Sequence, residues 1–157
     1  MVPTPDFVLR LREKIGHDPL WLGGVTAVVL RNSEVLLVRR ADNGEWSAVT
    51  GIIDPGEEPA MTAARETLEE TGIAATPTRL VSVDSMDAVA YANGDVANFL
   101  NLTFRCDFVS GDPAPGDDEN LEAAWFPLDA LPPLAERYRR RIQDAVDNDP
   151  SARFNVG

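Results

Sequence analysis

The stretch GIIDPGEEPAMTAARETLEETGI, residues 51–73, decides how the rest of the chain is read. Its first six residues hold two glycines and a proline, so residues 51–56 read as a loop. Pro59 suits the first position of a helix, where its missing N–H would be unpaired anyway, and Gly72 suits the left-handed stop. At 100° per residue, Glu66, Glu69 and Glu70 fall at i, i+3 and i+4 and share one face. Ala60, Met61, Ala64, Thr67 and Leu68 fall on the opposite face, which is expected to pack on a sheet. Like charges at this spacing weaken an isolated helix by about a few tenths of a kcal/mol per pair. Such a face calls for a neutralising partner, and hard divalent cations such as Mg²⁺ and Mn²⁺ prefer oxygen ligands. Arg65, one turn ahead of Glu69, can hold that carboxylate in place. Glu57, just before the helix, can turn toward the same face, and the loop glycines let backbone enter the site.

Outward from this segment, the chain reads as strands before and after one central helix. On the N-terminal side, Gly23-Gly24 open a valine-rich run over residues 25–31, Asn32-Ser33 make a turn, and residues 34–39 return as a second strand. Asp42-Asn43-Gly44 is a polar turn before a short stretch over residues 46–50. On the C-terminal side, residues 79–90 and 98–110 alternate as strands, joined through Ala92-Asn93-Gly94-Asp95. A Gly/Pro/Asp-rich loop over 110–120, a short strand over 123–127 and a helix over about 134–146 complete the domain. This order predicts an α/β fold with a mixed sheet and helices packed on its faces. Residues 1–22 form an N-terminal arm with Phe7, Leu11 and Ile15 at helical spacing and Gly16 as its stop. Residues 23–148 form the domain proper, and the tail, 149–157, is expected to fray after Pro150.

Composition narrows the partners. The 157 residues suit one domain, and 44% hydrophobic with 25% charged residues argues against wholesale disorder. Fourteen Lys and Arg against 26 Asp and Glu give a net charge of −12. That surface repels a nucleic-acid backbone, whose binding relies on Lys and Arg, but tolerates a small phosphorylated substrate when metal ions bridge the negative charges. No apolar run approaches the roughly 18 residues of a membrane span, and the N-terminal MVPTPDFVLRLREK lacks a secretory signal, so no membrane and a cytoplasmic location are expected. Cys106, the one cysteine, excludes an intramolecular disulfide or a cysteine-based zinc cluster and reads as buried and inert.

Gly51, five residues, Glu57, seven residues, Arg65-Glu66, two residues, Glu69-Glu70, one residue, Gly72-Ile73 resembles the Nudix box. At about 7% usage per residue type, a chance match has odds of roughly a few in a million, which makes the signal a strong one. Residues 35–40 before the box and 124–128 after it also look like the family's flanking strands, so the resemblance covers about residues 23–132. It implies a Nudix-type α/β/α sandwich with a central mixed sheet and the box helix packed on it. It implies a Mg²⁺-dependent hydrolase, with Mn²⁺ as a substitute, acting on a nucleoside diphosphate linked to another moiety, such as an ADP-ribose-like compound or nucleotide sugar. A MutT-like triphosphate pyrophosphohydrolase and a catalytically silent nucleotide-binding module are the alternatives. By the same resemblance Glu69 and Glu70 are the main metal ligands and Glu66 a ligand or general base. Glu57 orients the site or binds a further metal, Arg65 fixes a glutamate, and a backbone carbonyl of Thr50 or Gly51 also binds metal. Thr50 replaces the family's commoner glycine, and Thr67 its usual aliphatic residue.

Several members take a further carboxylate from a loop after the box. Here that loop is Asp117-Asp118-Glu119-Asn120-Leu121-Glu122, with Glu119 the first choice as metal ligand or base and Glu122 the second, at the substrate. A solvated acidic loop is the competing reading. Arg39 and Arg40 end a strand near the site, where either can grip a phosphate, against the simpler reading of surface ion pairs. Trp46 reads as core, residues 91–95 as a tight turn, His17 as structural, and residues 137–141 as the wet face of the last helix. Phe7, Leu9 and Leu11 need a cover, either a second copy in a homodimer or the arm's own domain.

Overall fold

Valine and its neighbours between Val25 and Leu30 are buried without alternation, because this strand lies between helices on both faces. In the computed structural model, which describes residues 4–116 and 118–156, that strand is β1 (Leu20–Arg31). Asp117, the first acid of the late loop, residues 1–3 of the arm and residue 157 of the tail lie outside the described residues. The other elements are α1 (Asp6–Ile15), β2 (Glu34–Arg40), β3 (Trp46–Ser47), β4 (Val49–Ile52), α2 (Pro59–Thr71) and β5 (Ala74–Ser85). They are followed by β6 (Val89–Ala90), β7 (Val96–Ser110), β8 (Asn120–Pro127) and α3 (Glu136–Val146).

The sheet is mixed, as expected. β1 runs parallel to β7, from Leu20 opposite Ala97 to Leu30 opposite Asp107, and β7 is antiparallel to β5. On its other edge β1 changes partner: Gly24 to Ala27 pair with β4, and only Leu30 and Arg31 pair with β2. β2 and β4 therefore diverge, and β8 pairs with β2 along the far side. The opening between the diverging strands is where the site lies. One core cluster joins Val25, Ala27, Val29, Leu36 and Val38 to Ala63 of α2 and to Ile73 just beyond it, and another joins Val28, Leu30, Val35 and Leu37 to Ile142 and Ala145 of α3. The two sets alternate along β1 and β2, so each helix covers one face and the expected sandwich is formed.

The α2 helix ends as expected, with Gly72 in the left-handed region at φ 72°. Its packing face differs from the expectation. Thr67 is fully buried as expected, but Met61 and Leu68 are 63% and 54% exposed, and Thr62, Ala63 and Thr71 are fully buried in their place. The small residues let the helix lie close to the sheet, and the threonine hydroxyls need no outside partner. Thr67 Oγ1 donates to the Ala63 carbonyl and Thr71 Oγ1 to that of Thr67. This rotation carries Glu66 and Glu70 toward the sheet. The loop after β7 then ties down the helix end, with Ala114 N–H donating to the Thr71 carbonyl and Gly116 N–H to that of Glu70.

Several other expectations change. Gly51 and Ile52 belong to β4 and not to a loop, since both pair with β1. Arg141 is not on the wet face: it is 2% exposed, its Nη2 donates to both carboxylate oxygens of Asp84 on β5, and its Nη1 donates to Thr26 Oγ1. Tyr138 is buried as well, so only part of that run faces water. The tail does not fray at Arg153, whose N–H donates to the Val81 carbonyl and whose carbonyl accepts from Val83 N–H on the open edge of β5. The arm folds back on its own domain. Phe7 and Val8 pack with Leu20, Leu22, Ala97 and Phe99, whereas Leu9 and Leu11 stay exposed. His17 Nδ1 lies 2.8 Å from Asp95 and Trp46 packs edge-on against Phe126, both structural as read. Cys106 is fully buried, and that burial pushes its thiol up to about 12.

Candidate active site

Arg65 organises one half of the site. Its Nε and Nη2 donate to the two oxygens of Glu57 at 2.8 and 2.9 Å, while Nη1 donates to Glu66 at 2.9 Å and Glu69 at 3.0 Å. Three carboxylates thus share one guanidinium, whose planar fork suits bidentate contact. Thr62 Oγ1 adds a bond to Glu57 at 2.8 Å, and these donors, Arg65 foremost, hold the Glu57 carboxyl at about 2. Glu66 goes the other way. Its burial outweighs the attraction of Arg65, and the carboxyl is raised to about 7.

Glu66 lies over Gly51. A Cβ at position 51 would overlap its Cγ, Cδ and Oε1, so glycine is required there for space. Val49 belongs to the core on the α2 side and Gly51 faces Glu66, so strand alternation sends the Thr50 side chain to the α3 side. What Thr50 offers the site is its backbone.

The other half is a cavity of about 180 Å³ between β2, β3, β4 and the late loop. Glu70, Glu119, Arg40 and Thr50 line it, together with Ser47 and Asn120. Glu70 is only 4% exposed, and Asn120 Nδ2 donates to it at 2.9 Å. Asn120 and Ser47 were not singled out in the sequence, where Asn120 stands among the acids of the late loop and Ser47 is one polar residue in a short stretch, neither with a spacing signal. The Glu119 carbonyl accepts from Ala41 N–H at 2.8 Å, which ties the late loop to the end of β2. Arg39 and Glu122 are cross-strand neighbours that pair with each other at 2.5 Å, and neither lines the cavity.

The carboxylates of Glu57, Glu66, Glu69, Glu70 and Glu119 and the carbonyls of Thr50 and Gly51 offer hard oxygens, which Mg²⁺ and Mn²⁺ prefer. Among the described residues no three such side chains stand together as a metal-ligand cluster, since Arg65 and Asn120 hold the carboxylates. The raised Glu66 carboxyl fits a cation on physical grounds, because added positive charge relieves the cost of burying it ionised.

This has a measurable consequence without substrate. Between about 4.5 and about 7 the native Glu66 keeps a proton that the unfolded chain has released. Stability from this group is therefore fully present below 4.5 and falls as pH rises through 7, by on the order of 3 kcal/mol. Thermal melts of metal-free protein across this range should show that decline, Mg²⁺ should reduce it, and Glu66→Gln should flatten it. An equal slope in wild type and variant counts against the burial argument.

The NUDIX domain family model matches residues 21–145. The chain belongs to the Nudix family. A MutT-like protein of Streptomyces ambofaciens is 36% identical over 142 residues, covering 88% of this chain and 86% of that one. The NAD-capped RNA hydrolase NudC of Pseudomonas aeruginosa is 37% identical over 109 residues, covering 68% of this chain. This Nudix chain spans only about a third, 36%, of that relative's length. The crystal structure of a MutT NUDIX hydrolase from Burkholderia pseudomallei aligns with a TM-score of 0.65 at 28% identity, covering 80% of this chain and 98% of that one. In this Nudix chain the charged residues of the box form the Arg65 cluster and the buried Glu70, and no described helix is long and apolar enough to cross a membrane.

Proposed function

We propose that this protein is a Mg²⁺-dependent pyrophosphohydrolase that cleaves a nucleoside diphosphate linked to another moiety. The observation that carries this reading is that one helix carries both the Arg65-held glutamates and the buried Glu70, which with Arg40 lines one small cavity. Bound Mg²⁺ would supply Lewis-acid stabilisation of phosphoryl oxygens and lower the pKa of attacking water, held by Glu69, Glu70 and Glu66 with Glu119 and the Thr50 or Gly51 carbonyl. Arg40 binds the phosphoryl group that enters the cavity. Glu66, whose carboxyl lies against Gly51, is either one of these ligands or the base that accepts a proton from the attacking water. Arg65 keeps the glutamates in register, and Glu57, held ionised, keeps Arg65 in place. Catalysis is then mostly positioning and electrostatics, and no covalent nucleophile is needed.

The NAD-capped RNA hydrolase relatives support a diphosphate-linked substrate, since NAD joins two nucleosides through a pyrophosphate. The MutT-like relative supports the triphosphate reading instead. A net charge of −12 disfavours the RNA portion of a capped transcript, so free NAD and ADP-ribose are the better candidates. The test is mass-spectrometric turnover of ADP-ribose, NAD, nucleotide sugars, dinucleoside polyphosphates, and normal and oxidised triphosphates, with Mg²⁺ and with chelator. A diphosphate-linked compound should be preferred, and chelation should stop the reaction. Preference for a triphosphate would replace this reading with the MutT-like one. Saturable nucleotide binding without turnover would support the silent module.

A further inference from the structure

Ser47 is 1% exposed, and its Oγ has no hydrogen-bond partner among the described residues. A buried hydroxyl left this way is costly, so the fold gains nothing from it. Ser47 lies directly opposite Val38 across β2 and β3, and both residues line the cavity. Residues directly opposite in an antiparallel pair share a face, so the Ser47 side chain lies on the cavity side of β3 with Val38.

Arg40 lines the same cavity under tight control. Its Nε and Nη2 donate to the two oxygens of Asp42 at 3.0 and 2.7 Å, which fixes the plane of the guanidinium. Asp42 sits in a turn closed by Arg40 N–H to the Glu45 carbonyl and Gly44 N–H to the Arg40 carbonyl, with Gly44 at φ 73°. Ala41 N–H ties that turn to Glu119. The cation is therefore oriented before any ligand arrives. The lining otherwise carries Asp42, Glu70, Asp118 and Glu119, so a bare phosphate would be repelled. A phosphoryl group accompanied by a divalent cation would not be.

We infer that Ser47 is a substrate-binding residue that donates its hydroxyl hydrogen to a phosphoryl oxygen of the metal-complexed diphosphate, and that Asp42 positions Arg40 to grip the same group. This rests on the pyrophosphohydrolase reading above. It assigns Ser47 a direct contact and Asp42 an indirect one.

The probe is imidodiphosphate, a diphosphate resistant to hydrolysis, titrated calorimetrically with Mg²⁺ into wild type, Ser47→Ala, Asp42→Ala and Asp42→Asn. Ser47→Ala should weaken binding about tenfold while melting at or above the wild-type temperature, because it removes an unpaired buried hydroxyl. Asp42→Ala should weaken binding about tenfold, and Asp42→Asn, which keeps one acceptor for the guanidinium, by less. On the substrate found by the panel, Asp42→Ala should raise KM with little change in kcat. Wild-type affinity in either alanine variant overturns the inference and leaves the pyrophosphohydrolase reading standing. A lowered melting temperature for Ser47→Ala also overturns it, since the hydroxyl would then serve the fold. Failure of wild type to bind the probe, with no turnover of the panel, overturns both.

Discussion

Gly51→Ala is expected to lower turnover about 100-fold and to destabilise the protein by about 1–3 kcal/mol. The reason is space. Gly51 is not among the glycines at positive φ, so an alanine there meets no backbone strain. It meets Glu66, whose Cγ, Cδ and Oε1 occupy the place a Cβ would take. The strand cannot retreat, because Gly51 is paired with Val25 and its neighbour Ile52 with Gly24. The helix cannot retreat either, because Ala63 and the adjacent Ile73 are fully buried in the core. The Glu66 side chain must swing away, and a displacement of about 1 Å at a reacting group costs about two orders of magnitude in rate. The stability loss should nearly vanish when Gly51→Ala is made in a Glu66→Ala background, since the colliding atoms are gone. Denaturant melts of the four proteins in this cycle measure the coupling. Full turnover in Gly51→Ala would remove Glu66 from the machinery.

Glu70→Gln should lower Mg²⁺-dependent kcat about 10³-fold, roughly 4 kcal/mol of transition-state stabilisation, while the fold survives. Glutamine has nearly the same shape and keeps an oxygen to accept from Asn120 Nδ2, so the buried contact is retained. What is lost is one negative charge at a position 4% exposed, where solvent cannot replace it. The rise in melting temperature on adding Mg²⁺ should shrink with it. Glu69→Gln should also lose turnover, but its side chain is 54% exposed, so its effect on metal affinity should be the smaller of the two. Unchanged turnover in both variants would remove the glutamate face from the catalytic assignment.

Much of the architecture was legible locally. The helix from Pro59 to its stop at Gly72 follows from two residues whose backbone preferences are strong. The Arg65 contact with Glu69 follows from helical spacing, and the Glu57 contact was approachable because Glu57 stands just ahead of the same helix. The sandwich itself follows from strands placed before and after one central helix. The packing face of α2 was misread because Met61 and Leu68 are the larger apolar residues, whereas close approach to the sheet favours threonine and alanine. Arg141 was misread for a similar reason: its partner Asp84 lies 57 residues away, on β5.

By itself the sequence determined which carboxylates share the central helix with Arg65, and the family, because those depend on residue type and on spacing along one element. Only the tertiary structure decided that Asn120 meets Glu70, that Gly51 makes room for Glu66, that Arg39 and Glu122 pair with each other, and that Ser47 faces the cavity. Those contacts depend on where β1 changes partner from β4 to β2 and on how the late loop docks on the end of α2. Both are long-range pairings, selected by the packing of the whole sheet and not by the preferences of any one segment.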